Sequence, residues 1–441
     1  MDGTATADDI RRRFDAAPMG RTQMAAVAVT VLISALDGYD VLSVTFAAPA
    51  ITRDWNVGKA ALGVVLSAGL AGMALGSLLL APLADLVGRR KLVLASLGLM
   101  AAGMSLSAFA QSLPQLAVWR VLTGLGIGTM VAVINPVAAE FSNARRRSLA
   151  LALMAMGYPM GGLIGGLLAA ALLRLYDWRA VFVAGAVAAV LLVPIVLRFL
   201  PEPLAFLLSR RRTDGLERVN ALLVRCGQQP VASLPAPASR SERGYAAIFA
   251  PTQRAITLRL TAANLLFVMT VYYVLSWLPQ MVADQGFAPS SASLVASMAN
   301  LFGVLGGVTL GVVAQRTGLR RTTVAMMVGL GIATAAFGVT PASLPLLMAT
   351  AGVCGFFLFG GIAGIYATLA TSFDAGARAS GAGFVIGIGR VGSAIAPLLA
   401  GFLFAAQLGR GVVSATFAAL TIIAGLLLAL SSSNKRTAAA A

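Results

Sequence analysis

Residues 81–91 read A-P-L-A-D-L-V-G-R-R-K and residues 311–321 read G-V-V-A-Q-R-T-G-L-R-R, at a constant offset of 230 positions. Each segment closes a long apolar stretch, turns on a glycine (Gly88 or Gly318) and continues into arginines. A glycine frees the backbone for a tight turn between helices, and the arginines anchor that turn at an anionic leaflet. A basic loop shaped by topology alone would account for the arginines but not for the matched glycine. The same offset nearly superposes Arg147 on Arg378, so the chain reads as two copies of one architecture.

The solvent of that architecture follows from composition. Of 441 residues, 59% are hydrophobic and 11% charged, whereas soluble domains carry roughly 25% charged residues. Twelve apolar stretches occur, near 22–49, 60–84, 92–110, 114–139, 147–171, 178–200, 256–282, 291–314, 322–340, 344–371, 379–405 and 411–431. Such lengths match a hydrocarbon core of about 30 Å, so the spacing predicts an all-α membrane protein of twelve spanning helices in two pseudo-symmetric six-helix bundles. The first stretch exceeds the roughly 7–15-residue apolar core of a cleavable signal and is expected to remain as a helix. The expected divisions are a tail at 1–21, a first bundle at 22–200, a polar linker at 201–255, a second bundle at 256–431 and a tail at 432–441.

A net charge of +17 could indicate a nucleic-acid binder, but the 33 Lys and Arg residues follow topology. With both termini inside, all but seven fall on cytoplasmic segments, Arg11 to Arg13, Arg145 to Arg147 and Arg210 to Arg212 among them. Arg53, Lys59, Arg174, Arg179 and Arg410 fall outside, and Arg120 and Arg390 fall within stretches. This is the positive-inside pattern of a multi-pass inner-membrane protein, and no nucleic-acid partner is expected. The chain has no histidine and two cysteines, Cys226 and Cys354, without metal-type spacing. A histidine relay is excluded, and neither metal nor cofactor is expected.

Charges retained inside apolar helices point to function, because each central one costs about 2.5–3.5 kcal/mol on insertion scales. Asp37 and Asp40 stand three apart in A-L-D-G-Y-D-V-L, which puts both carboxylates on one face of the first helix. Such a pair suits a proton carrier, since like charges repel and burial disfavours the ionised form; cations holding both ionised for structure is the alternative. Arg120 lies at similar depth in the fourth stretch and is the expected counter-ion. Its surrounding R-V-L-T-G-L-G-I-G has small residues four apart, and with no strand before it the pattern signals helix packing rather than a nucleotide loop. Arg390, in G-I-G-R-V-G, has no acid in its own helix. It is read either as the ligand of a substrate carboxylate, held bidentate, or as the partner of an acid from another helix. Gly157, Pro159, Gly161 and Gly162 are expected to bring the bundles close and to kink the fifth helix. Tyr39 and Tyr273 are the aromatic residues favoured to touch substrate, ahead of Tyr158, Tyr272, Phe359 and Tyr366; Asn135, Asn264 and Asn300 are the hydrogen-bonding candidates.

The 81–91 loop resembles the signature of the major facilitator superfamily, with Ala81 and Leu86 departing from it; in the second copy Gln315 stands where the signature has aspartate. Glu140 and Arg147 match that superfamily's E-x6-R pattern. The resemblance implies a cytoplasmic charge network of Asp85, Arg89, Glu140 and Arg147 that locks an outward-open state, with Arg378 assigned to gating. The D-G-Y-D of the first helix, R-V-L-T-G-L-G-I-G, the S-W-L-P at 276–279 and G-I-G-R-V-G together resemble the aromatic acid:proton symporter family. That resemblance implies alternating-access import of a benzoate-like or hydroxybenzoate-like carboxylate with protons, by a monomer. A proton-coupled drug exporter is the alternative on the same scaffold, disfavoured by the incomplete motif of the fifth helix and by a cationic cavity. An enzyme or receptor is disfavoured because the linker is too short for a further domain.

Overall fold

The computed structural model describes residues 7–209, 214–234, 248–373 and 378–430, all as helices and their connections. Helix α1 (Ala7–Ala16) precedes α2 (Arg21–Trp55). Helix α3 (Lys59–Leu75) runs through a π turn (Gly76–Leu80) and a 3-10 turn (Ala81–Leu83) into α4 (Ala84–Val87), making one span. Helices α5 (Arg89–Ala108), α6 (Leu113–Glu140), α7 (Arg147–Leu175) and α8 (Arg179–Phe199) complete the first bundle. After α9 (Leu204–Ser209) and α10 (Gly215–Arg225), the second bundle comprises α11 (Pro251–Ala283), α12 (Pro289–Thr317), α13 (Leu319–Val339), α14 (Leu344–Ser372), α15 (Arg378–Ala405) and α16 (Arg410–Leu430). Twelve of these units are long and apolar enough to cross a membrane. Their outer surfaces carry large apolar side chains in the open, Leu78 at 71% and Leu175 at 75% exposure, as hydrocarbon requires and water does not allow.

The repeat is carried by the backbone. Gly88 has φ +110° and Gly318 φ +88°, a region that side chains disfavour, so both glycines make the turns that the sequence assigns them. Small residues then set how closely helices cross. A Cβ on Gly76 would lie 2.2 Å from the Leu125 carbonyl oxygen of α6, and one on Gly306, 230 positions later, 1.9 Å from that of Phe356 in α14. A Cβ on Gly124 would meet the Gly69 carbonyl oxygen at 2.0 Å. The glycines of the fourth span are therefore packing surfaces, Gly124 and Gly128 against α3 and Gly126 against α5, and not a phosphate loop. Across the bundle interface α3 meets α15 and α7 meets α12.

The tail and linker hold more order than their polarity predicts. Helix α1 buries Ile10 and Phe14, and α10 buries Val219, Leu222 and Leu223. Arg13 donates to the Gln229 carbonyl (3.1 Å), Thr22 to that of Arg225 (2.8 Å) and Asn143 to that of Ala17 (2.9 Å), so both segments are tied to the first bundle. Helix α11 starts at Pro251, ahead of the expected 256, because proline is accommodated in a helix's first turn.

Gly124→Ala is expected to destabilise the protein by about 1–3 kcal/mol, since backbone lines the site and cannot yield. Gly98→Ala, where nothing lies within 4 Å, is expected to leave stability unchanged or raise it. Melting temperatures of the two variants in one detergent check the contrast.

Candidate functional site at the bundle interface

The site begins with a close backbone contact. A Cβ on Gly38 would lie 2.0 Å from the Tyr158 carbonyl oxygen, so glycine between the two aspartates lets α2 lie directly on α7. With the helix held there, Asp37 turns to the interface between bundles and Asp40 to the interior of the first bundle. The i, i+3 spacing puts the two on one broad side of α2, yet the structure gives each a separate environment.

Asp40 and Arg120 form an ion pair at 3.4 Å, each side chain 1% exposed. The Arg120 guanidinium also donates to the Asp40 carbonyl oxygen at 2.9 Å, and its Nη1 lies 3.4 Å from Ser43 Oγ and 3.3 Å from Met104 Sδ. It faces the Phe182 ring at 5.8 Å. Four helices thus converge on one guanidinium, with Gly69 of a fifth leaving room beside it. Removing one partner of such a buried pair costs about 3–5 kcal/mol. The expected counter-ion is in place.

Asp37 is also 1% exposed, yet neither carboxylate oxygen has a hydrogen-bond partner among the described residues. It lines a cavity of about 470 Å³ together with Arg390, Tyr158, Tyr272, Tyr366 and Asn135. Met73, Ile127, Phe359 and Ile362 supply apolar walls. Arg390 has its Nη1 3.0 Å from Met73 Sδ, and no acid is within ion-pair distance of it among the described residues. The Tyr158 hydroxyl is buried without a hydrogen-bond partner among the described residues, and its ring lies 6.3 Å from that of Phe359. An apolar slot with one guanidinium, one carboxylate and several phenols fits a small ring bearing a carboxylate.

Three expected substrate contacts lie elsewhere. The Tyr39 hydroxyl donates to the Val181 carbonyl in α8, with its ring between Gly165 and Gly185. Tyr273 stacks on Phe417 at 4.2 Å and shares a hydrogen bond with Ser414 at 2.8 Å. Asn264 donates to the Val385 carbonyl at 3.0 Å, joining α11 to α15. Adjacent helical positions point about 100° apart, which is why Tyr272 faces the cavity and Tyr273 does not. Asn300, also a candidate, lies against Gly162 where α7 meets α12. Gly161 instead packs against Ala35 of its own bundle.

The cavity reaches toward the basic side, where Asn135, Val308, Gly311 and Tyr366 are exposed along it. On the opposite side the bundles are shut. Lys59 pairs with Asp284, Thr52 bonds Gln280 at 3.3 Å, and a Cβ on Gly63 would lie 2.9 Å from the Pro397 carbonyl oxygen. Arg89 and Glu140 do pair, but both belong to the first bundle and the pair stands while the basic side is open. Asp85 and Arg147 lie on the first bundle at the same basic rim. Arg147 pairs with Asp15 of α1 rather than with Glu140, a partner that sequence spacing gave no reason to choose. Asp85 is exposed on α4. Arg378 opens α15, and its side chain lies outside the described residues.

The model of the Major Facilitator Superfamily matches residues 30–280 and 260–440. A 4-hydroxybenzoate transporter of Pseudomonas aeruginosa is 30% identical over 91% of this chain and 90% of its own length. A gallate transporter of Pseudomonas putida is 28% identical over 91% and 90%, and a benzoate transport protein of Acinetobacter baylyi 25% identical over 87% and 84%. Among solved structures, a D-xylose-proton symporter superposes with TM-score 0.72 at 15% identity over 94% of this chain and 98% of that one, a likeness of fold. The xylose transporter of E. coli in an inward-open conformation gives TM-score 0.70 at 14% identity over 93% and 96%. The chain belongs to the major facilitator superfamily, as a multi-pass membrane transporter and not an enzyme, and its relatives include transporters of aromatic acids.

Proposed function

We propose that the protein imports an aromatic monocarboxylate together with a proton across the bacterial inner membrane. The observation that carries this reading is the joint presence of Arg390 and the unpartnered Asp37 in one apolar, tyrosine-lined cavity at the bundle interface. Arg390 takes the substrate carboxylate through its fork, Asn135 and the phenols engage ring substituents, and Asp37 takes up and releases the proton. Asp40 and Arg120 hold α2 in the register that presents Asp37, and their pair is the second proton-responsive element.

Electrostatics gives the coupling its reason. Moving a monovalent anion inward against an inside-negative potential costs about 2.3 kcal/mol per 100 mV, whereas anion plus proton crosses as a neutral pair. Coupling is reciprocal, so protonation strengthens substrate binding by the factor with which substrate strengthens protonation.

The basic side is read as cytoplasmic by its excess of Lys and Arg, with 1–21, 201–255 and 432–441 upon it and the bundles at 22–200 and 256–431. In that orientation the cavity is inward-open. The contacts at Lys59, Thr52 and Gly63 are then the closed outer gate, while Asp85, Arg89, Glu140, Arg147 and Arg378 shape the inner rim.

Asp37→Asn and Asp40→Asn are each expected to abolish accumulation of labelled 4-hydroxybenzoate in proteoliposomes under an imposed pH gradient. Undiminished accumulation in either removes that carboxylate from the coupling. Arg390→Ala is expected to weaken binding of the acid by about 2 kcal/mol or more, some thirty-fold, and to leave the corresponding amide nearly unaffected. Equal losses for acid and amide would return Arg390 to a structural role. Lys59→Glu faces Asp284 with a like charge and should raise hydrogen exchange in the 56–59 and 284–288 connections; adding Asp284→Lys should reverse it.

A further inference from the structure

A second cavity, of about 700 Å³, lies on the basic side between the first bundle and the linker. It sits where α2 and α5 begin and α8 ends, so it lies at the depth of phospholipid headgroups. Five arginines from four helices line it: Arg21, Arg90, Arg198, Arg218 and Arg225. Arg21, Arg198 and Arg225 are exposed and have no ion-pair partner among the described residues, while Arg218 is neutralised by Asp214 at 2.7 Å. Arg90 donates through Nη2 to the Leu197 carbonyl, and its Nε is buried with no acceptor among the described residues.

Glu202 also lines the cavity but leaves the excess charge in place. Its carboxylate accepts from the backbone amides of Arg89 and Arg90, so its oxygens are spent on the start of α5. Burial pushes its carboxyl up from the ordinary value, against the opposing pull of those amides and guanidinium groups.

The apolar part of the site decides what kind of anion fits. Leu197 and Phe199 of α8, at 50% and 44% exposure, lead out of the arginine cluster. Val190 and Leu191 continue that exposed apolar surface along the same helix at 57% and 61%. A free phosphate would satisfy the arginines and leave this path unused. A phospholipid fills both, its phosphate on the guanidinium groups and its acyl chains along α8.

We propose that this cavity binds an anionic phospholipid of the leaflet on the basic side, which bridges α8 to linker helix α10. The lipid thereby fastens the connection between the bundles to the first of them. This site is separate from the central cavity and does not depend on the identity of the transported substrate.

The test uses the full-length protein and native mass spectrometry in detergent, with phosphatidylglycerol and phosphatidylcholine as probes. Wild-type protein should retain phosphatidylglycerol in preference, and Arg21→Gln/Arg225→Gln should weaken that retention about thirty-fold, at about 1 kcal/mol per surface charge. Arg21→Lys/Arg225→Lys should keep most of it. Arg174→Gln/Arg179→Gln, on the opposite face, should leave it unchanged. Equal retention of both lipids by wild type overturns the proposal, as does an equal loss in the opposite-face variant. Displacement of phosphatidylglycerol by millimolar inorganic phosphate would make the site one for a free anion and overturn it as well. If the glutamine variant does not fold, as judged by size-exclusion chromatography, the wild-type lipid comparison and the lysine variant decide.

Discussion

Hydrocarbon tolerates neither a lone carboxylate nor a lone guanidinium, and the first bundle is arranged around that constraint. Asp40 and Arg120 neutralise one another out of contact with water, and the Nη atoms of Arg120 also meet the Asp40 carbonyl, Ser43 and Met104, while its Nε is buried with no acceptor among the described residues. A side chain that must be met on so many sides draws its neighbours to fixed distances, so α2, α5, α6 and α8 are located relative to one another by it. The cost of failing to meet it is several kcal/mol, comparable to a large part of a protein's net stability.

Once α2 is held in this way, the meaning of Asp37 changes. It lies less than one turn away on the same helix, equally buried, but it has no hydrogen-bond partner among the described residues. One acid is thus paired inside the first bundle, while its neighbour lines the cavity between the bundles. Gly38 makes the separation possible, because direct contact with the α7 backbone at Tyr158 sets the rotation of α2 between the two.

Contacts between the two bundles and within the first are placed unevenly along the helices. Two polar contacts across the interface, Lys59 with Asp284 and Thr52 with Gln280, lie on the side away from the arginine-rich rim. The arginine-rich rim is held together within the first bundle, through Arg89 with Glu140 and Arg147 with Asp15. These two pairs stand while the cavity between the bundles is open toward the basic side.

Sequence by itself determined that the chain spans a membrane twelve times, that its halves repeat, and that Asp37, Asp40, Arg120 and Arg390 are the charges to explain. Those features were legible because hydrocarbon thickness, turn glycines and intramembrane charge leave one-dimensional marks. Which way each side chain faces was decided by tertiary structure. Tyr272 and not Tyr273 meets the cavity, Tyr39 and Asn264 tie helices together, and Arg147 finds its acid in α1. A helix that is apolar on every side carries no stripe to reveal its rotation. That angle is set by backbone contacts such as Gly38 on Tyr158, between residues far apart in the chain.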